Sequence, residues 1–376
     1  MTNHEHSVEA AKEPQTKLKE RFDWIDYAKG IGIIFVVYGH VIIGINNSGI
    51  VANATGILQV FAKSSLDFVY SFHMHLFFFL SGLFVSWKAT KSIKDFNDFF
   101  WKKVKTILYP YFIWSFIQGV FYALMSPYTN TKFNIIDLPY SILFAPIAQF
   151  WFLYILFAFH ISFVFLKKVL NIYIIVFLSV LMYLFSTQVH IDFYLTRGFA
   201  ENFIYFMLGA ISIKILQEKL IEISAIKAIL LSIACLSIQA FIFFWSTGVL
   251  QLNLSQEAVI GFLVAFLGIG FTLCLSVALV KIKTLDFIRY LGVLSLQIYV
   301  VHLLVVVGIR IILQKGLHVN NIILHILVAT IAGIILPVIL YLVTEKIQFP
   351  YLFSLSKHSS RSSAILADKA TSQSGK

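Results

Sequence analysis

Apolar blocks of roughly twenty residues recur from residue 31 to residue 343, divided by short polar stretches. Ten of them predict membrane helices near 31–50, 66–87, 106–126, 146–166, 171–187, 201–216, 226–246, 258–280, 290–312 and 322–343. Alternating ten-residue strands are absent, and backbone groups in lipid must be satisfied within the protein, so helices are expected rather than a barrel. The fold class is therefore all-α and polytopic. No period of 20 to 50 residues repeats, and no second half mirrors the first.

Charge sets the orientation. With a cytoplasmic N-terminus, 24 of the 29 Lys and Arg fall on the inner side, leaving Lys63, Lys132, Arg197, Arg310 and Lys315 outside. Both termini are thus expected in the cytoplasm. Residues 1–24 read as a polar tail without the apolar core of a signal peptide, 25–345 as the transmembrane domain, and 346–376 as a second cytoplasmic tail, expected to be disordered. The composition, 59% apolar and 12% charged with a mean hydropathy of +0.85, excludes a water-soluble globule. Topology accounts for the net charge of +11, so no nucleic-acid partner is expected, and the spacing of the two cysteines suggests no metal site. Cys235 and Cys274 lie in apolar segments and read as packing residues.

Ionisable groups inside spans are costly and tend to face a protein interior or a watery cavity. His40, His73, His75, His160, His302 and His325 are such groups. His40 lies nine residues into the first block, roughly 14 Å deep, and His302 twelve residues past Tyr290, roughly 18 Å deep. His73 lies roughly 10 Å below the outer surface. The three imidazoles are candidates for one buried compartment, with hydrogen-bonded packing as the alternative for each.

Within DYAKGIGIIFVVYGH (26–40), Lys29 and His40 are eleven residues apart, three helical turns with only about 20° of drift. They share a face, roughly 16 Å from end to end. That length suits a thin ligand with an anionic head and a reactive tip, such as coenzyme A. Gly30 and Gly32 thin this helix, for close packing or for ligand clearance. Lys102, Lys103 and Lys105 add a cationic cluster, read either as inner-face charge or as a phosphate clamp. Asp26 stands on Lys29's face as a salt-bridge partner or a substrate contact. Asp67, Asp192, Arg197 and Glu201 lie toward the outer face, where ordinary loop solvation is the default reading.

The segments RFDWIDYAKGIGIIFVVYGH (21–40), FVYSFHMHLFFFLSGLFV (68–85), KKVKTILYPYFIW (102–114), QFWFLYILF (149–157) and LGVLSLQIYVVHLL (291–304) together resemble the acyltransferase 3 family of membrane O-acyltransferases. Its fucose 4-O-acetylase-related branch is the most similar in appearance. The resemblance covers about residues 21 to 345 and implies ten core helices in a bacterial plasma membrane. It implies transfer of an acetyl group from cytoplasmic acetyl-CoA, a co-substrate rather than a bound cofactor, to a hydroxyl of an envelope glycan or lipid-linked sugar. It also implies His40 as the catalytic residue, Lys29 and the Lys102, Lys103 and Lys105 cluster as CoA-binding, and Ser81, Tyr299 and His302 as motif positions. His75 departs from similar sequences, which usually carry proline there, so a helix break expected at that point is missing. The esterase-like domain fused to some relatives is also not expected.

In such a site an imidazole can act as general base on the acceptor hydroxyl or carry the acetyl group itself. His302, His73 or Ser81 are candidates to orient it or to bind the oxyanion, with His302 first by depth. His73 with Asp26, Arg197 and Glu201 completes the candidate acceptor-binding set. The rival functions are a glycolipid transporter or flippase, and a scaffold without chemistry.

Overall fold

A computed structural model describes residues 3–52, 56–85, 92–129, 132–189, 191–253 and 257–355, with side chains from residue 23 onward. Among the described residues there are helices and turns but no strands. The helices are α1 (Asn3–Asn47), α2 (Ile57–Tyr70), α3 (His73–Gly82), α4 (Ile93–Lys103), α5 (Tyr109–Leu124), α6 (Leu138–Leu143) and α7 (Trp151–Val169). They continue as α8 (Ile172–Gln188), α9 (Tyr194–Ile215), α10 (Ala225–Phe244), α11 (Ala258–Ile282), α12 (Asp286–Val293), α13 (Ser295–Ile311) and α14 (Ile322–Lys346). Eight stretches among the described residues are helical, long and apolar enough to cross a membrane.

Two of the ten expected spans differ. The 66–87 block is broken at Ser71 and Phe72, where α2 ends and α3 begins, so neither piece reaches the length of a full crossing. The break precedes His75 rather than falling on it; His75 sits within α3 with its ring 4.3 Å from that of Tyr205. The 171–187 block forms α8, which at 17 residues is short for a span.

The chain divides into two compact units. The first contains residues up to 35, 67–85 and 204–292; the second contains 36–66, 86–203 and 293 onward.

In the first unit α10 packs along α11, and α3 packs against α11. Two crossings depend on glycine. A Cβ at Gly30 would run into the Ile288 carbonyl oxygen, and one at Gly292 into that of Asp26, so α1 and α12 meet backbone to backbone. Gly82 and Gly209 do the same for α3 and α9, against Phe206 and Phe79. At Gly32 the Phe77 ring fills the space. Close packing is therefore what Gly30 and Gly32 provide. Polar bonds pin the same end of α1: Tyr27 donates to the Thr284 carbonyl at 2.8 Å and to Asp286 at 2.9 Å, and Arg289 pairs with Asp23 at 3.0 Å.

In the second unit α13 packs along α14, and α5 contacts both α6 and α13. Just before α5 the helix widens into one π turn, Val104–Leu108. Pro110 explains it, because proline has no N–H to return to the preceding turn. After α14, the described part of the C-terminal segment packs inward. The Trp114 indole donates to the Leu352 carbonyl at 2.7 Å, the Tyr109 hydroxyl donates to that of Tyr351 at 2.6 Å, and Phe353 is buried. Residues 356–376, the rest of the expected tail, lie outside the described residues.

Candidate active site

The second unit holds a cavity of about 500 Å³ with His40 in its wall. Ile43, Gly44 and Asn47 follow at helical spacing on α1; Leu303, Val306, Val307 and Arg310 come from α13, and Tyr122 from the end of α5. His40 is half-buried, and its ring centroid lies 5.1 Å from that of the fully buried His302.

His302 is oriented by its own helix. Its Nδ1 lies 2.7 Å from the Tyr299 carbonyl oxygen and 3.2 Å from that of Ile298. A carbonyl can only accept, so Nδ1 carries the hydrogen and Nε2 keeps a lone pair. Among the described residues Nε2 has no hydrogen-bond partner. Tyr299 is held in turn, its hydroxyl donating to the Gln149 carbonyl oxygen. The Gln149 and Gln118 side-chain amides bond each other reciprocally, at 2.9 and 3.3 Å. This buried knot joins α5, the turn entering α7, and α13, and it fixes the turn from which His302 projects.

None of the other expected site residues is among the described residues that line this cavity. His73 and Ser81 belong to the first unit, where His73 Nδ1 bonds the Val69 carbonyl at 2.8 Å and the Ser81 hydroxyl donates to that of Phe77 at 2.8 Å. Lys29 pairs with the buried Asp26 at 3.7 Å and lies over the Phe84 ring at 5.1 Å, all within the first unit. Lys102 and Lys105 are exposed, and Lys103 lies over the Phe99 ring. Arg197 and Glu201 pair with each other at 2.7 Å on the first turns of α9. His160 and His325 bond the Leu156 and Val319 carbonyls, each at 2.8 Å. No cluster suited to a metal ion occurs among the described residues.

Two features escaped the sequence reading. Arg310, counted there as an outer-loop charge, is a buried residue of α13 that lines the cavity. Its spacing from Leu303 and Val306 on one helix face was the available signal. The Gln118 and Gln149 pair sits in blocks read only as apolar, and two amides in separate spans carry no sequence mark of their pairing.

The family model for an acyltransferase domain, acyltransferase 3, matches residues 22–342. The chain belongs to the acyltransferase 3 family. That range includes the whole of the His40 cavity and all the helices that build it. No curated protein and no solved structure gives a significant match. Membership and the apolar helices together make the chain a multi-pass membrane acyltransferase.

Proposed function

We propose that this acyltransferase 3 protein transfers an acetyl group from cytoplasmic acetyl-CoA to a hydroxyl of an envelope glycan or lipid-linked sugar, with His40 as the catalytic residue. The observation that supports this most directly is the ring contact of the buried His302 with His40, which itself lines a cavity large enough for a sugar.

His302 Nε2 is suited to accept one N–H of His40, which turns the opposite nitrogen of His40 toward the acceptor. His40 takes the hydroxyl proton as the oxygen attacks the thioester carbonyl. A C–O bond forms, the C–S bond breaks, and the proton passes to the departing CoA thiolate. In the alternative order the acetyl group rests on His40 first and the sugar then removes it. The direct route requires a ternary complex; the relay gives ping-pong kinetics.

The proposal includes Lys29 and the Lys102, Lys103 and Lys105 group as contacts for CoA phosphates. Ser81 is proposed as a hydrogen-bonding residue for the reaction, and His73, Asp26, Arg197 and Glu201 as acceptor contacts. It also includes ten crossings, cytoplasmic termini, a bacterial plasma membrane and kinship with the fucose 4-O-acetylase-related branch. Family membership favours this reading over a flippase.

The test is to incubate the purified full-length protein with radiolabelled acetyl-CoA and an envelope glycan extract. Label should pass to glycan with the wild type and not with His40→Ala. Equal labelling by both would refute the assignment of His40, and glycan transport without CoA release would refute acyl transfer.

A further inference from the structure

We propose that Arg310 is an anion-recognition residue, and that the acceptor carries a fixed negative charge, a carboxylate or a phosphate, one to two helical turns from the hydroxyl that is acylated. The choice of occupant rests on the acyl-transfer reading above; the anion site itself does not.

Arg310 is only 3% exposed, within an apolar helix. A buried guanidinium is ordinarily matched by a carboxylate, because an unpaired buried charge costs several kcal/mol. Arg310 makes no ion pair among the described residues. Among the described residues its single hydrogen bond is a long one, from Nη1 to Gln314 Oε1 at 3.4 Å, and its Nε has no partner. The Gln314 amide is itself committed, donating to the Ser48 carbonyl at 3.1 Å.

The cavity that Arg310 lines contains no Asp or Glu among its described wall residues. Its polar groups are instead neutral ones, Tyr122, Asn47, Thr129 and Ser141, beside His40. Such a wall offers one positive charge and several neutral hydrogen-bonding groups. That combination suits an anionic sugar, because a guanidinium fork matches carboxylate or phosphate geometry while amides and hydroxyls pair with sugar hydroxyls.

Position supports the assignment. A Cβ at Gly44 would sit 3.7 Å from Arg310 Cδ, so the arginine stem lies across Gly44. Gly44 is four residues past His40 on α1, roughly 6 Å along the axis. The guanidinium continues toward Gln314, whose amide reaches Ser48, eight residues past His40, so an anion held by Arg310 lies between one and two helical turns, roughly 6 to 12 Å, from the level of His40.

The test has two arms. In the first, unfolding midpoints of the full-length protein in detergent are measured with glucuronate, glucose 6-phosphate, methyl glucoside and CoA, at matched ionic strength. One anionic sugar should raise the wild-type midpoint, its identity separating carboxylate from phosphate. The neutral glucoside should not, and Arg310→Gln should lose the response. Without anions, Arg310→Met should be at least as stable as wild type, because an uncompensated buried charge has been removed. Equal responses in wild type and Arg310→Gln would overturn the proposal. So would a response to CoA alone that Arg310→Gln abolishes, or a fall in stability for Arg310→Met.

In the second arm, glycan labelled from radioactive acetyl-CoA is passed over an anion exchanger. Label should be retained, and Arg310→Gln should lower kcat/KM for the acceptor about tenfold or more with KM for acetyl-CoA unchanged. Label confined to the neutral fraction would overturn the proposal. If no acetyl is transferred at all while the anion response persists, the acyl-transfer reading fails and the anion site stands.

Discussion

Replacing Tyr299 by Phe keeps the ring and removes one hydroxyl, so it isolates the bond that anchors the His302 turn. Tyr299 is 5% exposed and Gln149 is 2% exposed, so water does not readily replace the lost donor. A neutral buried hydrogen bond contributes about 1 kcal/mol net, and up to about 3 kcal/mol when its partner is left unsatisfied. Polar contacts between membrane helices average nearer 0.6 kcal/mol, which sets the lower end. The stability loss should therefore lie between about 0.6 and 3 kcal/mol, small enough for the protein to remain folded.

The catalytic effect should be larger than that loss alone suggests, since the Tyr299 carbonyl also receives the His302 Nδ1 hydrogen. A turn free to rock would misplace His302 against His40, and sub-ångström loosening of a reacting geometry is costly. We expect kcat to fall about tenfold, with KM for acetyl-CoA unchanged and with Gln118→Leu, which frees Gln149 from its amide partner, giving a similar fall. The assay is steady-state acetyl transfer beside thermal unfolding in the same detergent. Reduced stability with an unaltered kcat would refute the positioning role.

Other outcomes can be checked in the same system. His40→Ala should reduce acetyl transfer by about a thousandfold with normal membrane accumulation, as loss of a general base would. Lys29→Met should raise KM for acetyl-CoA several-fold with little change in kcat, the effect shrinking at high salt; an unchanged KM would remove Lys29 from donor binding. Gly292→Ala drives a Cβ into the Asp26 carbonyl and should cost about 3 kcal/mol or more, seen as poor accumulation or a lowered unfolding midpoint. Normal accumulation and stability would contradict the close crossing of α1 and α12.

What the chain disclosed before its structure follows from the physics of each signal. Long apolar blocks announce helices because lipid tolerates little else, and α7, α10, α11, α13 and α14 overlap the expected blocks closely. Depth estimates work within one helix because rise per residue is fixed, and they put His40 and His302 at similar heights. They give no information on lateral partners. The Phe77 and Val69 carbonyls that engage Ser81 and His73 lie four residues back on the chain, yet nothing in FVYSFHMHLFFFLSG says that these bonds form. Arg310 was misread for a related reason. Counting charges treats arginine near a span end as a solvated flank, whereas a long side chain within a helix can be drawn into a cavity.

The bonds from Tyr109 and Trp114 to the segment after α14 have a further implication. Both end on backbone carbonyls, at Tyr351 and Leu352, so the acceptors are the same whatever side chains those two positions carry. Phe353 sets its ring 5.5 Å from that of Trp114 and 5.6 Å from that of Tyr341, while the Tyr351 ring meets only that of Phe349, 5.5 Å away within the same stretch, among the described residues. The stretch between Lys346 and Leu352 is thus constrained in length more than in spelling. A substitution at 352 should pass nearly unnoticed and one at 351 should cost only its local ring contact with Phe349, while a one-residue deletion there would shift both carbonyls out of register at once. For anyone attaching a reporter to this protein, the safe junction lies beyond Phe353.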